Sequence, residues 1–172
     1  MDGNALISDC KKYRYMLSRT WSQTNTTRVL WVMLNPSTAD ASIDDPTIGR
    51  CIGYSKAWGY GGLFVGNLYA YRATDPKDLW MATERRGEDI RGPDNDQWLC
   101  KMAPVSNLIV AAWGAHADPQ RARGVARLLA GFQDVHCIGR TKAAQPLHPL
   151  YKSKDLKPVL YSQAQRSGGE NG

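Results

Sequence analysis

Four short apolar runs, each bounded by Gly, Pro, Asn or Asp, constrain the fold of this chain more than any other feature. They are Val29–Asn35, Leu63–Leu68, Asn107–Trp113 and Asp134–Gly139. Runs of this length and composition are expected of strands buried on both faces of a parallel sheet. Helix signals fall between them. Asp45-Pro46 offers a capping side chain followed by proline at the first helical position, where the missing N–H is not needed. Ile48, Cys51, Ile52 and Trp58 then recur at helical spacing, and Gly59 can end the helix. Asp75-Pro76 repeats the signal before Leu79 and Trp80. Asp94 opens a third helix carrying Trp98, Leu99 and Met102. Pro119 opens a fourth, with Val125, Leu128 and Leu129 on one side and Gly131 near its end.

This alternation predicts an α/β fold, a three-layer sandwich around a mainly parallel, four-stranded central sheet. Tyr13–Leu17 can add an edge strand. The 172 residues, 42% of them hydrophobic, suit one domain over residues 1–162. Residues 163–172 have no apolar anchor and are expected to form a flexible tail.

No apolar run approaches the roughly 20 residues that span a bilayer. The opening MDGNALISDCKKYRY lacks the basic-then-apolar order of a signal peptide. A cytoplasmic protein without membrane attachment is expected. The net charge of +6 is compatible with a polyanionic partner, although the basic residues are dispersed as on any solvated surface. Cys10, Cys51, Cys100 and Cys137 stand far apart with no close-spaced pair, a pattern of small buried thiols rather than metal ligands. Neither a metal nor a cofactor is expected.

Ligands of open parallel sheets bind beyond the carboxyl ends of the strands, so the polar residues there are the candidate site. Asn35 ends the first run, and the proline after it favours extended geometry up to that point. Its amide can hold a water or a base edge, or merely satisfy a turn together with Ser37. The loop from Ser37 to Asp45 carries Asp40, Asp44 and Asp45. Asp45 is most simply a helix cap, while Asp40 or Asp44 can serve as general base or orient a water. Asn67 ends the second run, where it can pair with a planar amide or base edge. Tyr69 and Tyr71 beyond it offer stacking faces, or belong to the core. Arg72 offers a phosphate-binding fork. Trp113-Gly114-Ala115-His116 ends the third run, with Gly114 permitting a tight turn and close backbone approach. Lys142 follows the fourth. His148 is bracketed by Pro146 and Pro149, and a rigidly held imidazole suits stabilisation of transition-state charge.

The segments RYMLSRTW, VMLNPSTAD, DDPTIGRCIGY, WGYGGLFVGNLYAYRATDP, GPDND, AAWGAHA and TKAAQPLHPLY together resemble an uncharacterised bacterial and phage domain family, over nearly the whole chain. A more distant similarity is to the uracil-DNA glycosylase superfamily. Leu34–Ser37 (LNPS) resembles its first-strand motif, which would make Asn35 the water-positioning residue. GNLYAYRATDP resembles its second-strand segment, with Asn67 as the base contact. WGAHA is similar to a third-strand motif, and His148-Pro149 to the closing His-Pro-Ser motif, with Leu150 in place of Ser. Met33 or Leu34 stands where that superfamily opens its first motif with glycine, and the Ser-Pro-Leu continuation after His-Pro is missing.

The resemblance implies an N-glycosidase acting on a nucleobase in DNA or in a nucleotide. A base or nucleotide modification enzyme, or a non-catalytic nucleic-acid-binding protein, are the alternatives. The expected partner in each case is a nucleic acid or nucleotide.

Overall fold

The computed structural model describes residues 1–37 and 44–164. Its elements are β1 (Asp2–Ile7), β2 (Arg14–Thr20), β3 (Arg28–Met33), α1 (Pro46–Ala57), β4 (Gly62–Asn67), α2 (Pro76–Arg86), α3 (Asn95–Met102), a 3-10 turn (Ala103–Val105), β5 (Leu108–Ala111), α4 (Pro119–Ala130), β6 (Val135–Cys137) and β7 (Val159–Ser162). The strands form one seven-stranded mixed sheet in the order β1-β2-β4-β3-β5-β6-β7.

The four apolar runs supply β3, β4, β5 and β6, which are parallel and adjacent. The sheet is larger than the four strands expected because β1, β2 and β7 extend it antiparallel at its two ends. β2 is not the edge, since β1 lies outside it. β1 and β7 are half exposed, so neither presents the continuous apolar run that identifies a buried strand. Of the tail assigned to 163–172, the Ala164 N–H donates to Asp134 Oδ1 at 2.6 Å, and everything from residue 165 on lies outside the described residues.

Side chains alternate across β3, so Val29, Trp31 and Met33 pack with α1, while Leu30 and Val32 pack with α2, α3 and α4. The topology accounts for these two layers. The chain leaves β3 for β4 on one side, then returns across β3 to β5 and continues outward to β6. With right-handed crossovers, reversing direction moves the connecting helices to the opposite face. Neighbouring β3 and β5 therefore feed loops to opposite faces, which opens a crevice beyond their carboxyl ends.

Helix starts follow the Asp-Pro signals. Asp45 caps α1 by accepting from Ile48 N at 2.8 Å, Asp75 caps α2 by accepting from Lys77 N, and Asp118 caps α4 by accepting from Arg121 N. The segment between β6 and β7 runs as a strap over α1. Arg50 and Tyr54 donate to the backbone carbonyls of Lys152 and Ser153, and Trp58 Nε1 donates to Leu156 O at 3.1 Å.

Candidate functional site

A cleft of about 490 Å³ occupies that crevice. Its walls include Asn35 and Ser37 after β3, Asn67 at the end of β4, Gly114 and His116 after β5, and His148 from the strap. Residues separated by more than a hundred positions thus share one concavity, of a size ordinary for a small-molecule or base pocket.

Asn35 sits just beyond β3. Its Nδ2 donates to Pro36 O at 3.0 Å and to Ala73 O at 2.9 Å. Both amide hydrogens are thereby committed to backbone. Oδ1, an acceptor, is what remains for a ligand, and an acceptor can hold a water by one of its hydrogens.

Asn67 is 2% exposed, and no hydrogen bond among the described residues engages its side chain. Its amide faces the cleft rather than the sealed core, so its donors and acceptor are open to water or to a ligand there. Its backbone is held firmly. Asn95, fully buried at the start of α3, donates from Nδ2 to Asn67 O at 2.9 Å and to Leu68 O at 3.2 Å. Arg121 donates to the same Leu68 carbonyl from Nε at 2.9 Å and Nη2 at 2.8 Å, and pairs with Asp96 at 2.6 Å. The GPDND segment, which sequence patterning leaves without a role, is therefore the clamp on the strand that presents Asn67.

His148 is positioned by four contacts around it. Gly114 N donates to Pro146 O at 3.0 Å, Leu147 N to Gly139 O at 2.9 Å, and Trp113 Nε1 to Gln145 Oε1 at 3.0 Å. Gly114 has φ +74, a left-handed conformation that favours glycine, and a Cβ there would meet His148 Cβ at 3.4 Å. Leu150 N donates to His148 Nδ1 at 3.2 Å. Since Nδ1 accepts, the ring proton of the neutral imidazole resides on Nε2. Burial lowers the His148 pKa, with Asp45 opposing and Lys152 adding to the shift. The side chain is thus a neutral Nε2–H donor at neutral pH.

Ser37 lines the cleft, but its Oγ donates to Asp45 Oδ2 at 3.1 Å. Asp45 is both helix cap and cleft wall. Other candidates fall elsewhere. Asp44 forms an ion pair with Arg19 at 2.8 Å and is not part of the cleft wall, which removes it as a base there. Asp40 lies outside the described residues. Tyr69 is core, edge-to-face with Trp80 at 5.4 Å. Tyr71 packs edge-on against Tyr13 and accepts from Arg86, and Arg72 donates to Lys11 O at 3.1 Å. Lys142 is exposed on the turn after β6. None of these four lines the cleft. The chain past Asn67 turns away from the crevice to pair with Asp89-flanking backbone and with β2, carrying Tyr69, Tyr71 and Arg72 outward, and returns to the cleft at Ala73, Thr74 and Pro76.

Four polar cleft residues, Arg14, Thr47, Thr74 and Tyr151, escape sequence reasoning. Arg14 on β2 reaches the cleft while 4% exposed, and burial pulls its pKa down to about 10, so it stays charged at neutral pH. No motif marks it. Thr47 follows the Asp45-Pro46 start and faces the same space. Tyr151, two residues past Pro149, is 92% exposed at the rim with φ +62. No group of His, Cys, Asp or Glu able to hold a metal occurs among the described residues. No helix among them is long and apolar enough to cross a membrane.

No curated protein and no solved structure matches the chain. A family model matches residues 14–150, from β2 through the His148 loop and so through every lining residue of the cleft but Tyr151, and the chain belongs to that family, described as protein of unknown function (DUF1643).

Proposed function

We propose that this protein is an N-glycosidase-like enzyme that hydrolyses the bond between a nucleobase and its sugar. The observation that carries the proposal is the pairing, in one cleft, of the Asn67 amide, which no hydrogen bond among the described residues engages, with a neutral His148 whose Nε2–H is likewise free among them. An amide with an unused donor and acceptor matches a base edge, which presents the complementary pair. A base entering so narrow a site leaves its stack to do so. The similarity of the LNPS, GNLYAYRATDP, WGAHA and His-Pro segments to the uracil-DNA glycosylase superfamily supports the same assignment and a glycosylase-like fold.

In the reaction the bond from the anomeric carbon to the base nitrogen breaks, and its electron pair leaves with the base. A water oxygen forms the new bond to carbon, and the water's proton passes to the base or to solvent. Asn35 Oδ1 accepts from that water and orients it. It is not a base, because an amide oxygen does not take up the proton at neutral pH. His148 donates from Nε2 to the charge growing on the departing base. A donor aimed where charge develops is worth about a hundredfold to a thousandfold in rate. Neutrality serves this role, since the donor is in place without a proton-uptake step.

Release of free base from a panel of normal, damaged and modified nucleotides and oligonucleotides tests the proposal. Asn35→Ala and His148→Ala should slow release about a hundredfold or more with little change in binding, because both act in the transition state. Asn67→Ala should instead blur the choice of base by about 1–3 kcal/mol. An altered base still attached to its sugar would assign the cleft to base modification, and salt-dependent binding of an unaltered strand would assign it to recognition alone.

A further inference from the structure

A second concavity of about 570 Å³ lies between the start of α3 and the outer face of α4, and it is built of arginine. Arg91, Arg121, Arg123 and Arg127 line it, against two carboxylates, Asp96 and Asp118. Both carboxylates are already used. Asp96 takes two bonds from Arg121, and Asp118 caps α4 by accepting from Arg121 N at 2.9 Å. Arg91, Arg123 and Arg127 enter no ion pair and no side-chain hydrogen bond among the described residues. Four guanidinium groups thus face two carboxylates, and an anion placed in the hollow offsets the excess positive charge.

Gly124 forms part of the same wall. It is a helix-interior glycine, which costs about 1 kcal/mol relative to alanine. No close packing demands it, because a Cβ there would meet nothing within 4 Å. Its effect is to leave the helix surface bare between Arg123 and Arg127, so a ligand can approach the backbone.

The hollow adjoins the first cleft. His116 belongs to one wall and Asp118 to the other, and the two residues between which the sites divide span at most about 7 Å of chain.

We propose that the arginine hollow on α3 and α4 binds the phosphodiester backbone of the nucleic-acid strand whose base enters the Asn67–His148 cleft. The substrate is then a polymer rather than a free nucleotide. The inference rests on the base-binding assignment of the first cleft, but its test is separable from it. Arginine is suited to this role because its planar fork meets phosphate oxygens two at a time.

The test is fluorescence anisotropy of a labelled oligonucleotide at several salt concentrations, for wild type and for the Arg91→Ala/Arg123→Ala/Arg127→Ala variant, with thermal unfolding as the check on folding. Arg121 is left intact because it clamps Leu68. The wild-type affinity should fall steeply with salt, and the variant should lose about 2–3 from the slope of log K against log[salt], at roughly 0.7–0.9 per phosphate contact. Binding of a free nucleoside to the first cleft, followed by calorimetry, should not change. A folded variant whose slope equals the wild type's overturns the proposal, and so does a wild type that binds nucleosides but no oligonucleotide. If the slope changes as expected while no base is ever released, the arginine hollow stands and the glycosidase assignment falls. Gly124→Ala gives a second readout. It should raise the unfolding temperature while weakening oligonucleotide binding, and unchanged binding would remove Gly124 from the hollow's design.

Discussion

The Asn95 clamp allows the sharpest test of how the site is held. Asn95→Ala removes two neutral hydrogen bonds, to Asn67 O and Leu68 O. Each is worth about 0.5–1.5 kcal/mol net. Leu68 O keeps Arg121, but Asn67 O loses the partner its fixed orientation depends on. Part of the loss is returned, because Asn95 Oδ1 is itself buried with no partner, and alanine removes that penalty. The balance is a loss of about 1–2 kcal/mol, or a fall of about 2–8 °C in Tm for a chain this size. Asn95→Asp has nearly the same shape and the opposite chemistry. It sets a carboxylate oxygen against two carbonyl oxygens in a fully buried place. The helix N-terminus recovers only about 0.3–1 kcal/mol of this. An uncompensated buried charge costs about 3–5 kcal/mol, so the aspartate variant should be the less stable of the two at pH 7.5. Acidification should narrow the gap, since the protonated carboxyl regains one donor. Thermal and urea unfolding of both variants at pH 7.5 and 5 measures this. An aspartate variant as stable as the alanine variant at pH 7.5 would falsify the claim that donation to these two carbonyls is what Asn95 contributes.

Two further outcomes follow from the cleft. His148 is held neutral, with its folded pKa below the ordinary 6.5. The unfolded chain therefore takes up that proton first on acidification, and the stability due to neutral burial is complete above about pH 6.5 and is lost as pH falls through the lower folded pKa. Wild type should lose more Tm between pH 7.5 and 5 than His148→Gln does, and equal losses would mean that the imidazole is not buried neutral. Asp45→Ala removes the α1 cap and the Ser37 tether together, so it should cost about 1–2 kcal/mol in urea unfolding while also weakening ligand binding in the cleft. A stability loss with binding intact would make Asp45 a cap alone.

Sequence patterning located what depends on chain-local chemistry. The Asp-Pro pairs at Asp45 and Asp75, and Pro119 for α4, announced helix starts because the cap and the proline act within four residues. Asn35, Asn67, Gly114 and His148 were legible as one site because strand ends of a parallel sheet converge, whatever their spacing in the chain. Direction past a strand end was not legible. Tyr69 and Tyr71 follow Asn67 closely, yet the backbone turns after it and carries both into core and edge contacts. Arg14 was not legible either, since it reaches the cleft from an antiparallel strand whose place beside β4 is set by long-range pairing. Asn95 left one faint sign. A short polar amide directly after a helix-opening Asp is a poor helix former, and its presence there implies some other duty.

The strap that carries His148 sets an order of events for the molecule. Its contacts with α1 join residues 98 and 99 positions apart, as in Trp58 to Leu156 and Arg50 to Pro149. Closing such loops is slow, because chain entropy is lost before the contact rewards it. The hairpin of β1 and β2 and the β3–α1–β4 unit involve far shorter loops and can form without it. The last wall of the cleft can therefore form after β1 to β6 have paired, and in native-state hydrogen exchange it should open on its own before those strands. A chain stalled at that point is folded in its core and blind to its ligand, so a bound ligand acts as the final fold-completing contact.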